Sequence, residues 1–263
     1  MEAQSYLQAY YESHDENARL LTRHGQVEFL TTMRYIERYL CPGARILEVG
    51  AGTGRYSHAL ARMGYRVDAV ELIEHNISIF REHAQPGEDV HITQGSATDL
   101  SAFESSFYDL TLVLGPLYHL FTQEDKLQAL SEAVRVTKPG GVIFAAYCMA
   151  DPSIVGYGFV RGGIHTLMEN HMLDPETFDA FSHPWDIFEL HRKEHIDALR
   201  SHFDVEQLRF VAADGYAPHM KATVDAMDDE TFALYLRYHF ATCERQDLIG
   251  YSNHTLDIFR RKR

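Results

Sequence analysis

Ile46-Leu47-Glu48-Val49-Gly50-Ala51-Gly52-Thr53-Gly54-Arg55 is the stretch that decides the fold. A short apolar strand runs into three alternating glycines and then into a helical segment, the pattern of a nucleotide-binding turn between strand and helix. Glycine permits positive backbone dihedrals and lets the main chain approach a ligand closely. A turn that is merely tight would need one glycine rather than three.

Two features separate this loop from a dinucleotide loop. The dehydrogenase fingerprint carries its third glycine where Arg55 stands, and a charged, bulky side chain there crowds both the helix–sheet contact and a pyrophosphate. Glu48, an acid at the end of the strand, would also repel a pyrophosphate, whereas it would attract the ammonium group of a methionine moiety. The next strand ends Val67-Asp68-Ala69-Val70-Glu71. An acid at that tip, about 20 residues beyond the glycines, is placed to accept the hydroxyl hydrogens of a ribose. Loop and acid together point to an adenosine-containing ligand.

Outward from the loop, strands alternate with helices. Residues 1–40 read as helical, with an apolar stripe through Val27, Leu30, Met33 and Ile36, and Cys41-Pro42-Gly43 as a stop. Residues 55–63 read as a helix, 65–70 as a strand, 76–83 as a helix, and 90–93 and 108–114 as strands. A helix over 124–136 is ended by Lys138-Pro139-Gly140-Gly141, and 142–147 form a fifth strand. This alternation calls for a parallel sheet covered on both faces. After Ala150 the rhythm breaks. A helix over 192–203 and a strand over 205–212 resume it, and a last strand covers 255–259. The two interruptions read as lids or binding segments.

Composition narrows the function. With 38 acids against 24 Lys and Arg the net charge is -14, which repels a phosphate backbone, so nucleic acid is disfavoured as a partner. The only basic cluster is Arg260-Arg261-Lys262-Arg263. No apolar run reaches membrane-spanning length. The polar start lacks a signal peptide's parts, and Cys41, Cys148 and Cys243 are scattered, so a cytoplasmic protein with reduced thiols is expected.

Glu48 to Gly54, Glu71, Gln94-Gly95-Ser96-Ala97 and Arg135-Val136-Thr137-Lys138-Pro139-Gly140-Gly141 resemble class I S-adenosylmethionine (SAM)-dependent methyltransferases. The resemblance is strong over residues 45–150. More loosely, Tyr10-Tyr11 and Gly250-Tyr251-Ser252-Asn253-His254 resemble a bacterial branch of small-molecule type. It implies an α/β, Rossmann-like, seven-stranded and mostly parallel sheet with helices on both faces and an antiparallel last strand. The chain then divides as one domain: a helical lid over 1–44, a SAM-binding core over 45–150, cap insertions over 151–190 and 213–250, and closing sheet elements over 191–212 and 251–263. It also implies that Gly50, Gly52 and Gly54 cradle the methionine part, Glu71 holds the ribose, Leu72 packs on the adenine, and Ser96-Ala97 border its edge. The backbone at Leu114 would receive the methionine amino group. Ser96 stands where the family often has Asp, so Asp99 is a candidate helper.

Methyl transfer from a sulfonium is an in-line displacement, so the enzyme mainly aligns the reactants. A base is needed only if the acceptor must lose a proton. The reacting methyl should face the end of the fourth strand, Leu112-Val113-Leu114-Gly115-Pro116-Leu117-Tyr118-His119-Leu120. His119 and Tyr118 are the candidate catalytic residues, although His119 could equally cap the next helix. Tyr11 and Arg19 could hold the methionine carboxylate from the lid, or simply pack on a helix face. His191 and His195 have helical spacing but no third ligand, so no metal is expected. The aromatic-rich interruptions suit a small organic acceptor methylated at O or N. The alternatives are an RNA or protein methyltransferase, or a SAM-binding module without catalysis.

Overall fold

The computed structural model describes residues 3–13 and 20–263. An eight-stranded sheet is built from β1 (Arg45–Val49), β2 (Arg66–Glu71), β3 (Val90–Gln94), β4 (Tyr108–Val113), β5 (Thr137–Met149), β6 (Leu190–His191), β7 (Val205–Ala212) and β8 (His254–Arg261). The order is β3-β2-β1-β4-β5-β8-β7, and β6 pairs with β5. Strands β1 to β5 run parallel, while β8 is antiparallel to both β5 and β7. The expected architecture is therefore present, with one short strand beyond the expected seven: Leu190 and His191 extend the sheet alongside Cys148 and Met149. In β1, Ile46 to Val49 are all buried with no alternation, the mark of a strand covered on both faces.

The helices are α1 (Ala3–Ser13), α2 (Arg23–Glu37), α3 (Arg55–Arg62), α4 (Glu74–His83), α5 (Gln123–Val136), α6 (Ala150–Ser153), α7 (Ile164–Glu169), α8 (Lys193–Arg200), α9 (Lys221–Asp225) and α10 (Asp229–Thr242). Within the described part of residues 1–40, the helical reading holds over α1 and α2 and is corrected at 20–22 and 38–40, which are not helical. Thr22 starts α2 because its hydroxyl accepts a hydrogen bond from the Gly25 backbone N–H at 3.1 Å, satisfying a donor that a helix start leaves open. Val27, Met33 and Ile36 are buried as their spacing predicts, whereas Leu21 stays half exposed.

Lys138-Pro139-Gly140-Gly141 is also corrected. Helix α5 ends at Val136, but these residues lie inside β5 rather than before it. Tyr108 faces Thr137 and Leu110 faces Val142, so the segment is an irregularity that β5 carries against β4.

The two insertions have small cores of their own. Ala150, Ile154, Leu167 and Leu173 cluster in the first; Val27 of α2 packs with Ala217, Val224 and Phe232 of the second. The second insertion thereby packs on α2. Among the described residues no helix is long and apolar enough to cross a membrane. The three cysteines are free thiols.

The closing strand carries a buried ion pair. Asp257 of β8, with 0 % exposure, accepts hydrogen bonds from Arg200 at 2.6 Å and Gln207 at 2.8 Å. Removing one partner of such a pair leaves an uncompensated charge in the interior. Asp257→Ala is expected to destabilise the domain by about 3 kcal/mol, read as a lower midpoint of urea unfolding. An unchanged midpoint would show that Asp197, which also bonds Arg200, suffices alone.

Candidate active site

The carboxyl ends of β1, β2 and β4 open on a cleft whose floor is the glycine loop. Gly50 has φ 75°, and a Cβ there would stand 2.5 Å from the Pro116 ring, so only glycine lets the β1 and β4 turns meet. Gly52 has φ 55°, and a Cβ there would meet nothing within 4 Å. It would project into free space, so the loop leaves room for a ligand to lie close against its backbone. Gly54 does not line the cleft. It caps α3 and packs where a Cβ would strike Phe80 and His58.

Glu71 is nine-tenths buried at the tip of β2. Its carboxylate accepts hydrogen bonds from the Gly52 N–H at 2.8 Å and the Ile73 N–H at 2.9 Å, with the Asn76 amide at 3.4 Å. Burial pushes its pKa up, and the Ile73 and Gly52 N–H bonds oppose that. Leu72, Asn76, Gly95, Ser96 and Ala97 form the adjoining wall. Asp99 is not there: its side chain accepts from the Ser101 N–H at 3.0 Å and is committed to a turn. The Ser96 hydroxyl bonds Thr98 at 2.8 Å.

Glu48 lines the cleft from beneath and is 1 % exposed. Burial raises its pKa to about 8, with the Ser57 hydrogen bond opposing and the nearby Glu71 adding to the rise. At neutral pH it therefore keeps its proton until a cation arrives. Arg55 also lines the cleft, its guanidinium 4.8 Å from the centre of the Phe29 ring of α2.

At the other end of the cleft stand Tyr11 of α1, Leu114, Tyr118 and His119. The Tyr118 hydroxyl donates to the Leu114 carbonyl at 2.9 Å. His119 is held at both ring nitrogens: Nδ1 lies 2.7 Å from the Ile187 carbonyl and Nε2 lies 2.9 Å from the Tyr11 hydroxyl. The carbonyl can only accept, so Nδ1 carries the proton and Nε2 accepts from Tyr11. Burial lowers the His119 pKa to about 4, against the pull of the Ile187 bond. His119 sits where it was expected but is a weak proton acceptor, suited to positioning Tyr11. Arg19 lies outside the described residues.

Sequence reasoning missed Leu20, Thr53, Tyr56 and Asn76 in the cleft wall. Phe188, one of the aromatics of the first interruption, has its ring 5.4 Å from His119 and 6.0 Å from Tyr118. Phe188 in turn borders a cavity of about 720 Å³ in the first insertion, lined by Ile154, Tyr157, Leu167, Phe181 and Trp185 among others. A second absence is the group Glu28, Asp214 and His254, whose polar atoms lie within 4.8 Å of one another. His191 and His195 form no such group, because His191 is in β6 and only His195 is in a helix.

Residues 47–145 match the family model described as a methyltransferase domain. Over 128 residues, 48% of each chain, the sequence is 35% identical to a ubiquinone biosynthesis O-methyltransferase of Methylocella silvestris. Over 103 residues, 38% of this chain and 34% of the relative, it is 36% identical to an S-adenosyl-L-methionine-dependent Diels-Alderase of Talaromyces variabilis. The chain spans about half the length of the ubiquinone-biosynthesis relatives it matches. A solved SAM-dependent methyltransferase of Methanosarcina mazei shares the fold with TM-score 0.58 at 19% identity, over 87% of this chain and 97% of that one. So does a Thermotoga maritima protein described as a possible histamine N-methyltransferase, with TM-score 0.58 at 16% identity over 99% and 100% of the two chains. Residues 47–145 thus match a methyltransferase domain, and the fold and cleft resemble those of class I SAM-dependent methyltransferases, whose cofactor is SAM. The cleft fits that cofactor: a buried acid stands at the β2 tip, Gly52 keeps the loop side open, and Glu48 can shed a proton to meet a cation.

Two predictions follow from this geometry. Losing a charge-assisted contact costs about 1.5–3 kcal/mol, so Glu71→Ala should weaken SAM binding roughly tenfold or more by calorimetry. Wild-type affinity in that variant would remove Glu71 from the site. For Glu48, a bound ammonium must lower the pKa from about 8. Binding below pH 8 should then release a proton, and affinity should rise between pH 6 and 8. Calorimetry in buffers of different ionisation enthalpy reads the proton directly, and no release at pH 6.5 would contradict it.

Proposed function

We propose that this chain transfers the methyl group of SAM to an oxygen or nitrogen atom of a small organic acceptor. The observation that carries the reading is the joined loop of Gly50, Gly52 and Glu71, open on the ligand side and closed by Tyr11 and His119 at the far end. In this reading Glu71 accepts the ribose hydroxyls, Leu72 and Ala97 flank the adenine, Ser96 borders its edge, and Glu48 and the Leu114 backbone face the methionine amino group. Gly54 supports the loop through α3. SAM, when bound, supplies an electrophilic methyl on a sulfonium; the protein's part is to align the acceptor and exclude water.

The acceptor would enter from the insertions. The cavity behind Phe188 has the size and mainly apolar lining of a small-molecule site. Relatives named for O-methylation in ubiquinone biosynthesis support oxygen as the acceptor atom. The net charge of -14 disfavours an RNA acceptor.

Calorimetry on the purified chain should show saturable binding of SAM and of S-adenosylhomocysteine, with none for NAD. A preference for NAD would overturn the cofactor and the function together.

A further inference from the structure

We propose that His254, oriented by Asp214, is the general base that takes the proton of a hydroxyl acceptor. This rests on the methyl-transfer reading above and adds to it the residue that handles the proton and the acceptor class that needs one.

His254 opens β8, opposite Cys148 of β5. Because β8 runs antiparallel, its first residue lies at the carboxyl end of the parallel strands, where the cleft is. Its ring lies 6.4 Å, edge to face, from that of Tyr118, which lines the cleft. Nδ1 is 2.7 Å from Asp214 Oδ2 and 3.5 Å from Glu28 Oε2. A carboxylate can only accept here, so Nδ1 carries a proton, and in the neutral ring Nε2 presents its lone pair. No described residue bonds Nε2, and it is not among the buried polar atoms left without a partner. It is therefore open to solvent.

Asp214 is itself fixed. Its Oδ1 accepts from the Ser252 hydroxyl at 2.6 Å and from the His254 N–H at 3.1 Å, so Oδ2 is aimed at the imidazole. Base, orienting acid and a second-rank support are the arrangement that a proton-accepting histidine needs. His119 cannot serve in the same way, since both its nitrogens are engaged and burial holds its pKa near 4. For His254 burial also disfavours the charge, but Glu28, Cys148 and Asp214 outweigh it and hold the imidazole well above 6.5. The groups facing it are Glu28 from α2, Cys148 from β5, Asp214 after β7 and Tyr118 before α5.

The step balances. As the acceptor oxygen forms its bond to the methyl carbon, the carbon–sulfur bond breaks and its electron pair stays on sulfur. The hydroxyl proton moves to Nε2 of neutral His254. The resulting imidazolium lies against Asp214 and Glu28, and it loses the proton to solvent after release.

Two measurements test this. The first uses 4-nitrocatechol, whose ionisation is visible by absorbance, bound to the S-adenosylhomocysteine complex. The bound dye should ionise at lower pH than the free dye, and His254→Ala should abolish that displacement. The second is methyl transfer to 4-nitrocatechol. Wild-type turnover should rise with pH and level off above the His254 pKa. Asp214→Asn should move that inflection to lower pH, and His254→Ala should lower turnover on the order of a hundredfold, with added imidazole restoring part of it. His119→Ala should give a smaller loss with little pH dependence. Wild-type turnover and pH profile in His254→Ala, or an unaltered dye ionisation, would overturn the base role. Absence of S-adenosylhomocysteine binding in the wild type would instead overturn the underlying function.

Discussion

The carboxylate of Glu71 is the point on which the cleft depends. It is removed from water, yet it collects the N–H groups of Gly52 and Ile73, one from the loop after β1 and one from the turn after β2. Two backbone donors that bend away from regular structure would otherwise be buried without partners. One side chain thereby locks two loops into a single rigid edge. Whatever ligand the edge receives meets preorganised groups, which limits the ordering cost of binding. Glu48 completes the arrangement from below, its proton retained by burial and by the proximity of Glu71.

The other end of the cleft is assembled by topology rather than by a local motif. Inserting antiparallel β8 between β5 and β7 brings the start of β8 to the same end as the finish of β7. Asp214 and His254 meet there although 40 residues separate them, and α2 adds Glu28. Val27 packs one residue before Glu28 against Ala217, Val224 and Phe232, so the second insertion holds the helix that supplies the acid. The insertion is thus structural support for that end of the sheet.

That contrast explains how far the sequence could be read. The loop from Glu48 to Gly54 and the acid at Glu71 were legible because their geometry follows from neighbours in the chain and from one strand-turn-helix unit. The mostly parallel sheet and its antiparallel last strand came with the family resemblance, whereas the strand order did not. The start of α2 at Arg23 was not legible, because the capping role of Thr22 depends on the backbone turn it closes. The irregularity at Lys138-Pro139-Gly140-Gly141 looked like a turn because Pro and Gly mark turns and bulges alike. Asp214 and His254 carried no signal of pairing: each is an ordinary polar residue near a strand end, and only the sheet order makes them neighbours. The Gly250-Tyr251-Ser252-Asn253-His254 segment was visible as part of a resemblance, but its Ser252–Asp214 bond was not.

The two histidines of the acceptor end show why residue type alone could not assign a role. His119 and His254 begin with the same side chain and the same usual pKa, and both are largely withdrawn from water. His119 donates a hydrogen bond to a neutral carbonyl and accepts one from a phenol, so nothing nearby compensates a positive charge and burial prevails. His254 faces two carboxylates at 2.7 and 3.5 Å, so the same burial is outweighed. A neutral histidine with both nitrogens engaged is a rigid strut, and here it fixes the Tyr11 phenol over the cleft. A histidine whose charged form is stabilised and whose outer nitrogen stays open can exchange a proton. The position after β4 made His119 the more visible of the pair, but the electrostatic surroundings stabilise a positive charge only on the histidine that opens β8.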